Sequence, residues 1–324
     1  MKGQTVELYQ AVQAAEQRIR PYVHRTPLEY APALSALGGA QVYLKLENVQ
    51  HTRSFKLRGV MNKLLSMQPA ERARGVVAAS SGNHGAALAY GCRQLEIEAL
   101  IFVPERAAPA KVAAIRQLGA AVRYHGNDSV VTERFARQYA EDHSLTYISP
   151  YNDWEIVYGQ GTVAAELVSQ LPQIDAVLVA VGGGGLIGGM AGYLKARQPA
   201  PSILGCLPAN SPVMAASVAA GQLLEMPTLP TLSDGTAGGI EANAITFELC
   251  RTLVDEFFLA EEAAIATAMR TCLAEEHLLI EGAAGVAVAA YLHNPARWQG
   301  KNIVIVICGG NVGIETVRQI VQIA

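Results

Sequence analysis

The feature that most constrains the fold is the stretch Ala176–Leu194, 19 consecutive residues without a charge. An apolar stretch of that length could span a bilayer. Seven of the 19 are glycine, however, and four of these, Gly182, Gly183, Gly184 and Gly185, are consecutive. They divide the stretch into an apolar run, a glycine turn and a second apolar run. Glycine is costly inside a regular element and cheap in a tight turn. The stretch therefore reads as strand, loop and helix. A buried strand feeding a helix through a tight turn is the building unit of α/β folds.

The rest of the chain repeats that plan. Short β-branched runs at Gln41–Glu47, Gly75–Ala79, Ala99–Val103, Ala121–Tyr124, Ala176–Val181, Ser202–Leu207 and Asn302–Ile307 are expected strands. Helical stretches separate them, among them Val6–Arg20, Phe55–Ser66, Gly85–Leu95, Gly159–Gln170, Ser211–Gly221 and Ala283–Leu292. Several strands are apolar throughout, as expected where both faces of a parallel sheet are covered. The fold class is α/β, with helices on both faces of the sheet. With 324 residues the chain holds two domains or one large one. No linker marks a boundary. Weak breaks fall at Ser149–Trp154 and at Leu223–Gly239, the second a long loop of the kind that often carries function.

Composition excludes other classes. Lys and Arg number 25 against 28 Asp and Glu, a net charge of −3, and no basic cluster overrides it, so nucleic acid is not an expected partner. The five cysteines are odd in number and widely spaced, without a C-x-x-C pair. Neither a disulfide framework nor a zinc site is expected. Met1 to Gln4 lead straight into a polar helical stretch with no signal peptide, and a cytoplasmic location without membrane contact is expected.

Three segments carry chemistry. In Ser54-Phe55-Lys56-Leu57-Arg58-Gly59 the serine reads as a helix N-cap, which places Lys56 in the first turn. There the helix dipole opposes a cation and favours a nucleophilic amine fit for a Schiff base, although an ordinary surface lysine has the same signature. Ser80-Ser81-Gly82-Asn83-His84-Gly85 lies between a strand and a helix, where backbone N–H groups can hold a carboxylate. The four-glycine turn can converge its N–H groups on a phosphate. Gly183-x-Gly185-x-x-Gly188 also matches a dinucleotide fingerprint, but the strand Ser202–Leu207 ends in Leu207 and Pro208, without the acid such a site needs. A single phosphate and a reactive lysine remain, which suits pyridoxal phosphate. Cys308, in Cys308-Gly309-Gly310-Asn311, is a neutral partner for its ring nitrogen or a buried small apolar side chain.

These four segments, in this order, resemble the serine/threonine dehydratase and serine racemase family of fold-type II pyridoxal-phosphate enzymes. Arg25-Thr26-Pro27-Leu28, Gly159-Gln160-Gly161-Thr162, Ser233-Asp234-Gly235 and Glu281-Gly282-Ala283-Ala284-Gly285-Val286 extend the resemblance over nearly the whole chain. It implies a tryptophan synthase β-like architecture: two open, twisted, mostly parallel sheets flanked by helices. Residues 1–50 and 151–324 would form a large cofactor-binding domain, and 51–150 a small substrate-side domain. Lys56 would hold pyridoxal 5′-phosphate and shuttle the α-proton. Phe55 would flank the ring, Asn83 would bond its 3-hydroxyl, Gly182, Gly183, Gly184 and Gly185 would bind the phosphate, and Cys308 would face the ring nitrogen. Ser80, Ser81, Asn83 and His84 would grip the substrate carboxylate, with Ser81 also the acid of a racemase.

The sequence departs from the family in places. Leu207, Pro212 and Val213 stand where some relatives place metal ligands, so no metal site is expected. Tyr151 and Trp154 replace smaller or polar residues, and the loop Thr236–Asn243, expected to face the substrate, is not the common dehydratase loop. The resemblance implies a lyase of amino-acid metabolism, a homodimer, that removes water from a 3-hydroxy amino acid of the serine/threonine type. The alternatives are a serine racemase, or a specialised dehydratase for phenylserine, hydroxyaspartate or a hydroxyectoine-derived amino acid.

Overall fold

A computed structural model describes residues 2–127 and 129–322. In chain order its first half comprises α1 (Lys2–Ile19), β1 (Leu28–Tyr30), α2 (Pro32–Gly38), β2 (Gln41–Leu46), α3 (Lys56–Ser66), α4 (Pro69–Arg74), β3 (Val76–Ala79), α5 (Asn83–Gln94), β4 (Ala99–Val103), α6 (Pro109–Gln117), β5 (Ala121–Tyr124), α7 (Ser129–Asp142) and β6 (Thr146–Tyr147). The second half comprises α8 (Trp154–Gln170), β7 (Ala176–Ala180), α9 (Gly185–Leu194), β8 (Ser202–Pro208), α10 (Val213–Ala220), α11 (Ile245–Leu253), β9 (Glu256–Ala260), α12 (Glu262–Glu275), α13 (Gly282–His293), β10 (Asn302–Ile307) and α14 (Ile314–Gln322).

The strands form two sheets. One has the order β1-β2-β10-β7-β8-β9, the other β5-β4-β3-β6. Every pairing is parallel except β1 with β2, at an edge. The architecture is the α/β, two-sheet arrangement expected. All five residues of β7 and all but the first of β10 are buried. A strand buried at alternate positions on both sides is covered on both faces, which explains its unbroken apolar sequence. The largely apolar helix α13 packs against β7, β8 and β10.

Several local expectations are corrected. Ser54 is not the cap of α3: the residue before the helix is Phe55, no side chain caps it, and Ser54 bridges backbone to backbone with Gly309. The helix expected from Gly159 begins at Trp154, because the Asp153 carboxylate accepts the N–H groups of Glu155 (2.8 Å) and Ile156 (3.4 Å). The strand expected from Gly75 begins at Val76, since Gly75 takes a φ of +93°. Strands β1, β6 and β9 were not expected. Two are only two or three residues long, and β9, Glu256–Ala260, is largely half-exposed at the edge beside β8.

Candidate active site

Ligands of open α/β sheets bind beyond the carboxyl ends of the strands. Here the carboxyl ends of both sheets face one cavity of about 540 Å³, within the usual size of a ligand pocket. It brings together Lys56, after β2; Ser80 to His84, after β3; the glycine turn, after β7; and Cys308, after β10. Phe55 lines it as well. Every sequence-predicted site residue therefore meets in one place.

The lysine loop is held by the main chain. Phe55 N–H donates to the Cys308 carbonyl (3.0 Å) and Gly310 N–H to the Arg53 carbonyl (2.9 Å). Arg53 itself is left-handed, with φ 61°, a conformation that costs a non-glycine residue about 1 kcal/mol or more. Lys56 Nζ donates to the Pro150 carbonyl at 3.0 Å. Burial lowers its pKa to about 8, against the opposing pull of Cys308 and Glu281. The sequence suggested a lowered pKa through the helix dipole; in the structure burial lowers it. The buried Cys308 thiol is pushed well above its ordinary value by desolvation and by Glu281, so it stays neutral.

The glycine turn is glycine for packing reasons. A Cβ at Gly183 would lie 2.3 Å from the Tyr151 ring, and one at Gly182 would lie 3.0 Å from the Thr236 backbone. Gly184, at φ +83°, precedes α9. The first N–H groups of a helix have no partner within it. The turn thus presents bare backbone and a helix N-terminus to the cavity, with no carboxylate among its own residues. A turn of bare backbone at a helix N-terminus, an amine of lowered pKa and a neutral thiol in one cavity fit pyridoxal phosphate.

The Ser80–Gly85 loop departs from the expectation at His84. His84 is buried and neutral: burial and then Lys56 lower its pKa to about 3. Its Nε2 lies 2.9 Å from the Ile148 carbonyl, so that nitrogen carries the hydrogen, and the buried Nδ1, which has no partner, is an acceptor. Asn83 Nδ2 donates to both oxygens of Glu281 (2.8 and 3.0 Å), and Asn311 Nδ2 donates to Asn83 Oδ1 (2.7 Å). Asn311 N–H also reaches Glu281 (3.1 Å). Burial raises the Glu281 pKa to about 7, despite those donors. Glu281 was quoted in the sequence only as part of a motif. Its signal was a lone acid opening an otherwise apolar helix, which does not reveal that it reaches the site.

The far wall also exceeds the sequence reading. Thr236, Ala237, Gly238 and Gly239 line the cavity, so the first half of the Thr236–Asn243 loop does face it. Helix α7 lines it as well, with Glu133. Arg137 Nη2 donates to Glu133 (3.1 Å) and pairs with Glu241 (2.5 Å). Asn152 Nδ2 donates to Glu241 (2.7 Å), and Glu241 N–H donates to the Tyr151 hydroxyl (2.9 Å). The two residues flagged as replacements therefore differ: Tyr151 fastens the loop and Trp154 starts α8.

Known proteins give the same picture. The family profile described as pyridoxal-phosphate dependent enzyme matches residues 19–309. A Thermotoga maritima protein named L-threonine ammonia-lyase is 38% identical, over 96% of this chain and 77% of its own. An Arabidopsis thaliana serine racemase is 35% identical, over 94% of this chain and 93% of its own. The processed form of threonine deaminase isoform 2 from Solanum lycopersicum superposes with a TM-score of 0.92 at 31% identity, covering 98% of this chain and 93% of that one. Cavity, backbone cradle and kinship agree that this chain belongs to the pyridoxal-phosphate dependent enzymes.

Proposed function

We propose that the protein is a lyase that removes water from a 3-hydroxy amino acid of the serine or threonine type, releasing a 2-oxo acid and ammonia. The observation that carries this is one cavity holding Lys56, the glycine turn and a neutral Cys308. Bound there, pyridoxal phosphate supplies an electron sink for charge left on the substrate α-carbon. Lys56 Nζ would hold the cofactor and then take the α-proton, a task suited to an amine whose pKa burial has lowered. Gly182 to Gly185 and the start of α9 would seat the phosphate. Asn83, fixed by Glu281 and Asn311, would meet the ring hydroxyl, and Phe55 would flank the ring. The Cys308 thiol, kept neutral, would donate only weakly to the ring nitrogen. That milder withdrawal favours β-elimination over transamination.

The substrate carboxylate would rest on the first turn of α5 with Ser80, Ser81 and Asn83. His84 serves there as a wall, since its N–H is spent on Ile148. The fold reading extends to two domains, residues 1–50 with 151–324 and residues 51–150, supported by the assignment of strands to two sheets. The protein would work as a cytoplasmic homodimer. Five cysteines that all remain free support a reducing compartment, and no described helix is long and apolar enough to cross a membrane.

The test is chemical. The purified protein is expected to be yellow, borohydride to bleach it, and the added mass to map to Lys56. Lys56→Ala should fold yet yield no 2-oxo acid from L-threonine or L-serine; normal turnover would refute the mechanism. Racemisation is a second reading, because half-buried Ser81 lines the same cavity as Lys56. Ser81→Ala should then abolish D-serine formation and leave elimination largely intact. Parallel loss of both would reduce Ser81 to a carboxylate contact.

A further inference from the structure

A run of four glycines has no side chain of its own to hold it in shape, and glycine is the most permissive residue of the backbone. The direction of its peptide groups must be fixed from outside. Gly184, at φ +83°, sits directly on α10 and α11: a Cβ there would lie 2.9 Å from Cys250 Sγ, 3.0 Å from Thr246 Cβ and 3.1 Å from Met214 Cε. Thr246, fully buried in the first turn of α11, donates its hydroxyl to the Gly183 carbonyl at 2.6 Å. That carbonyl and the Gly184 N–H belong to one planar trans peptide, so they point in opposite directions. A carbonyl drawn toward α11 therefore turns the Gly184 N–H away from it. The next peptide is fixed in the same way. The Gly184 carbonyl accepts the Gly188 N–H at 2.8 Å, along α9, so the Gly185 N–H points out of the start of that helix. Among the described residues, neither the Gly184 nor the Gly185 N–H has a protein acceptor. Both glycines line the cavity that holds Lys56, and no residue of α11 does.

We propose that Thr246 is a positioning residue for the cofactor phosphate: by holding the Gly183 carbonyl on α11, it aims the Gly184 N–H into the cavity as a phosphate donor. The inference rests on the reading of Gly182 to Gly185 as the phosphate seat, and adds to that seat a side chain 63 residues further along the chain. Thr246 acts through a peptide plane and lies behind the cavity wall. Without its hydroxyl the Gly183 carbonyl loses a donor, which costs free energy. The peptide relieves that cost by turning toward another donor, and the turn carries the Gly184 N–H off its line. Valine keeps the shape of threonine and lacks the donor, whereas serine keeps the donor. A packing role alone would be served by valine.

The experiment displaces pyridoxal 5′-phosphate from the holoenzyme with pyridoxal, which offers Lys56 the same aldehyde and carries no phosphate. Equilibrium dialysis gives the phosphate preference as the ratio of the two free concentrations at half replacement. The native protein is expected to prefer the phosphorylated form by at least about a hundredfold, the scale of two or more charge-assisted hydrogen bonds. Thr246→Val should cut that preference about tenfold, and Thr246→Ser should restore it. Yellow absorbance at saturating pyridoxal should stay level in each variant, since the lysine pocket is untouched. If valine prevents folding, Thr246→Ala poses the same question. A preference that survives loss of the hydroxyl, or that serine fails to restore, would overturn the proposal. So would a loss of pyridoxal binding in step with the phosphorylated form, which marks a structural role. A native protein that binds both forms alike would overturn the phosphate seat as well. The lyase reading fails separately, if the holoenzyme releases no 2-oxo acid from any 3-hydroxy amino acid.

Discussion

Two carboxylates, buried Glu166 and half-buried Glu133, sit in clusters built from the same residue types and shift in opposite directions. Glu166 meets Arg58 (2.9 Å), Lys45 (2.6 Å) and Arg20 (2.9 Å). Arg58 also donates to Glu47 at 2.7 Å, and Arg20 pairs with Glu16. Three cations answer three carboxylates. Burial would raise the Glu166 pKa, but Arg58 and Lys45 outweigh it and hold it at about 2. Glu133 has one guanidinium to share with a second acid, and its pKa rises. The first cluster is balanced in charge and holds Arg58 of α3, fixing the helix that starts at Lys56. Both border a cavity: Glu16, Arg20 and Glu166 line one of about 360 Å³, and Glu133 lines the one that holds Lys56. Charge balance, more than residue type, separates the two clusters.

The largest expected effect comes from breaking the balanced cluster. Arg58→Met leaves Glu47 and Glu166 buried without their shared partner and should cost about 3–5 kcal/mol in urea unfolding. Arg137→Met, at a partly exposed pair, should cost about 1 kcal/mol or less. Equal losses would remove the difference between the two clusters.

Acid titration sharpens it. The Glu166 pKa is lower in the folded chain, about 2, than the ordinary carboxylate value of 4.5. Its contribution is therefore complete above pH 4.5 and fades as pH falls toward 2, a loss on the order of 3 kcal/mol. Glu166→Gln should flatten that limb of the stability curve. The smallest effect belongs to Glu133→Gln, which removes one acid from a pair short of cations. Thermal stability should stay level or rise by up to about 1 kcal/mol at neutral pH. A large loss would make Glu133 a strut like Glu166.

The same contrast explains what the sequence disclosed. Gly182 to Gly185 were legible because their role is local: a tight turn, a strand before it and a helix after it. Neither cluster was legible, because Arg58 and Glu166 lie 108 residues apart, and Arg137 and Glu241 lie 104 apart. Only the packing of α3 on α8, and of α7 beside the Thr236–Asn243 loop, brings them together. Ser54 failed for a related reason. Its residue type suits a cap, but the main-chain bridge to Gly309 overrode local preference. Glu281 was visible as a letter and invisible as a neighbour of Asn83, 198 positions earlier.

The stitching of the lysine loop to the Cys308 loop has a consequence for how the molecule comes into being. Asn311 Nδ2 reaches the Thr52 carbonyl (2.9 Å) across 259 residues, and β2 pairs along its length with β10. Contacts of such separation form slowly, since a long loop must close before any is gained. A chain emerging from the ribosome can complete the sheet β5-β4-β3-β6 long before β10 exists. Until β10 arrives, the lysine loop lacks the strand that orients it. Cofactor capture is then the last act of assembly, and in a refolding experiment the appearance of yellow colour should trail the recovery of helix, timing the moment when the two ends of the chain meet.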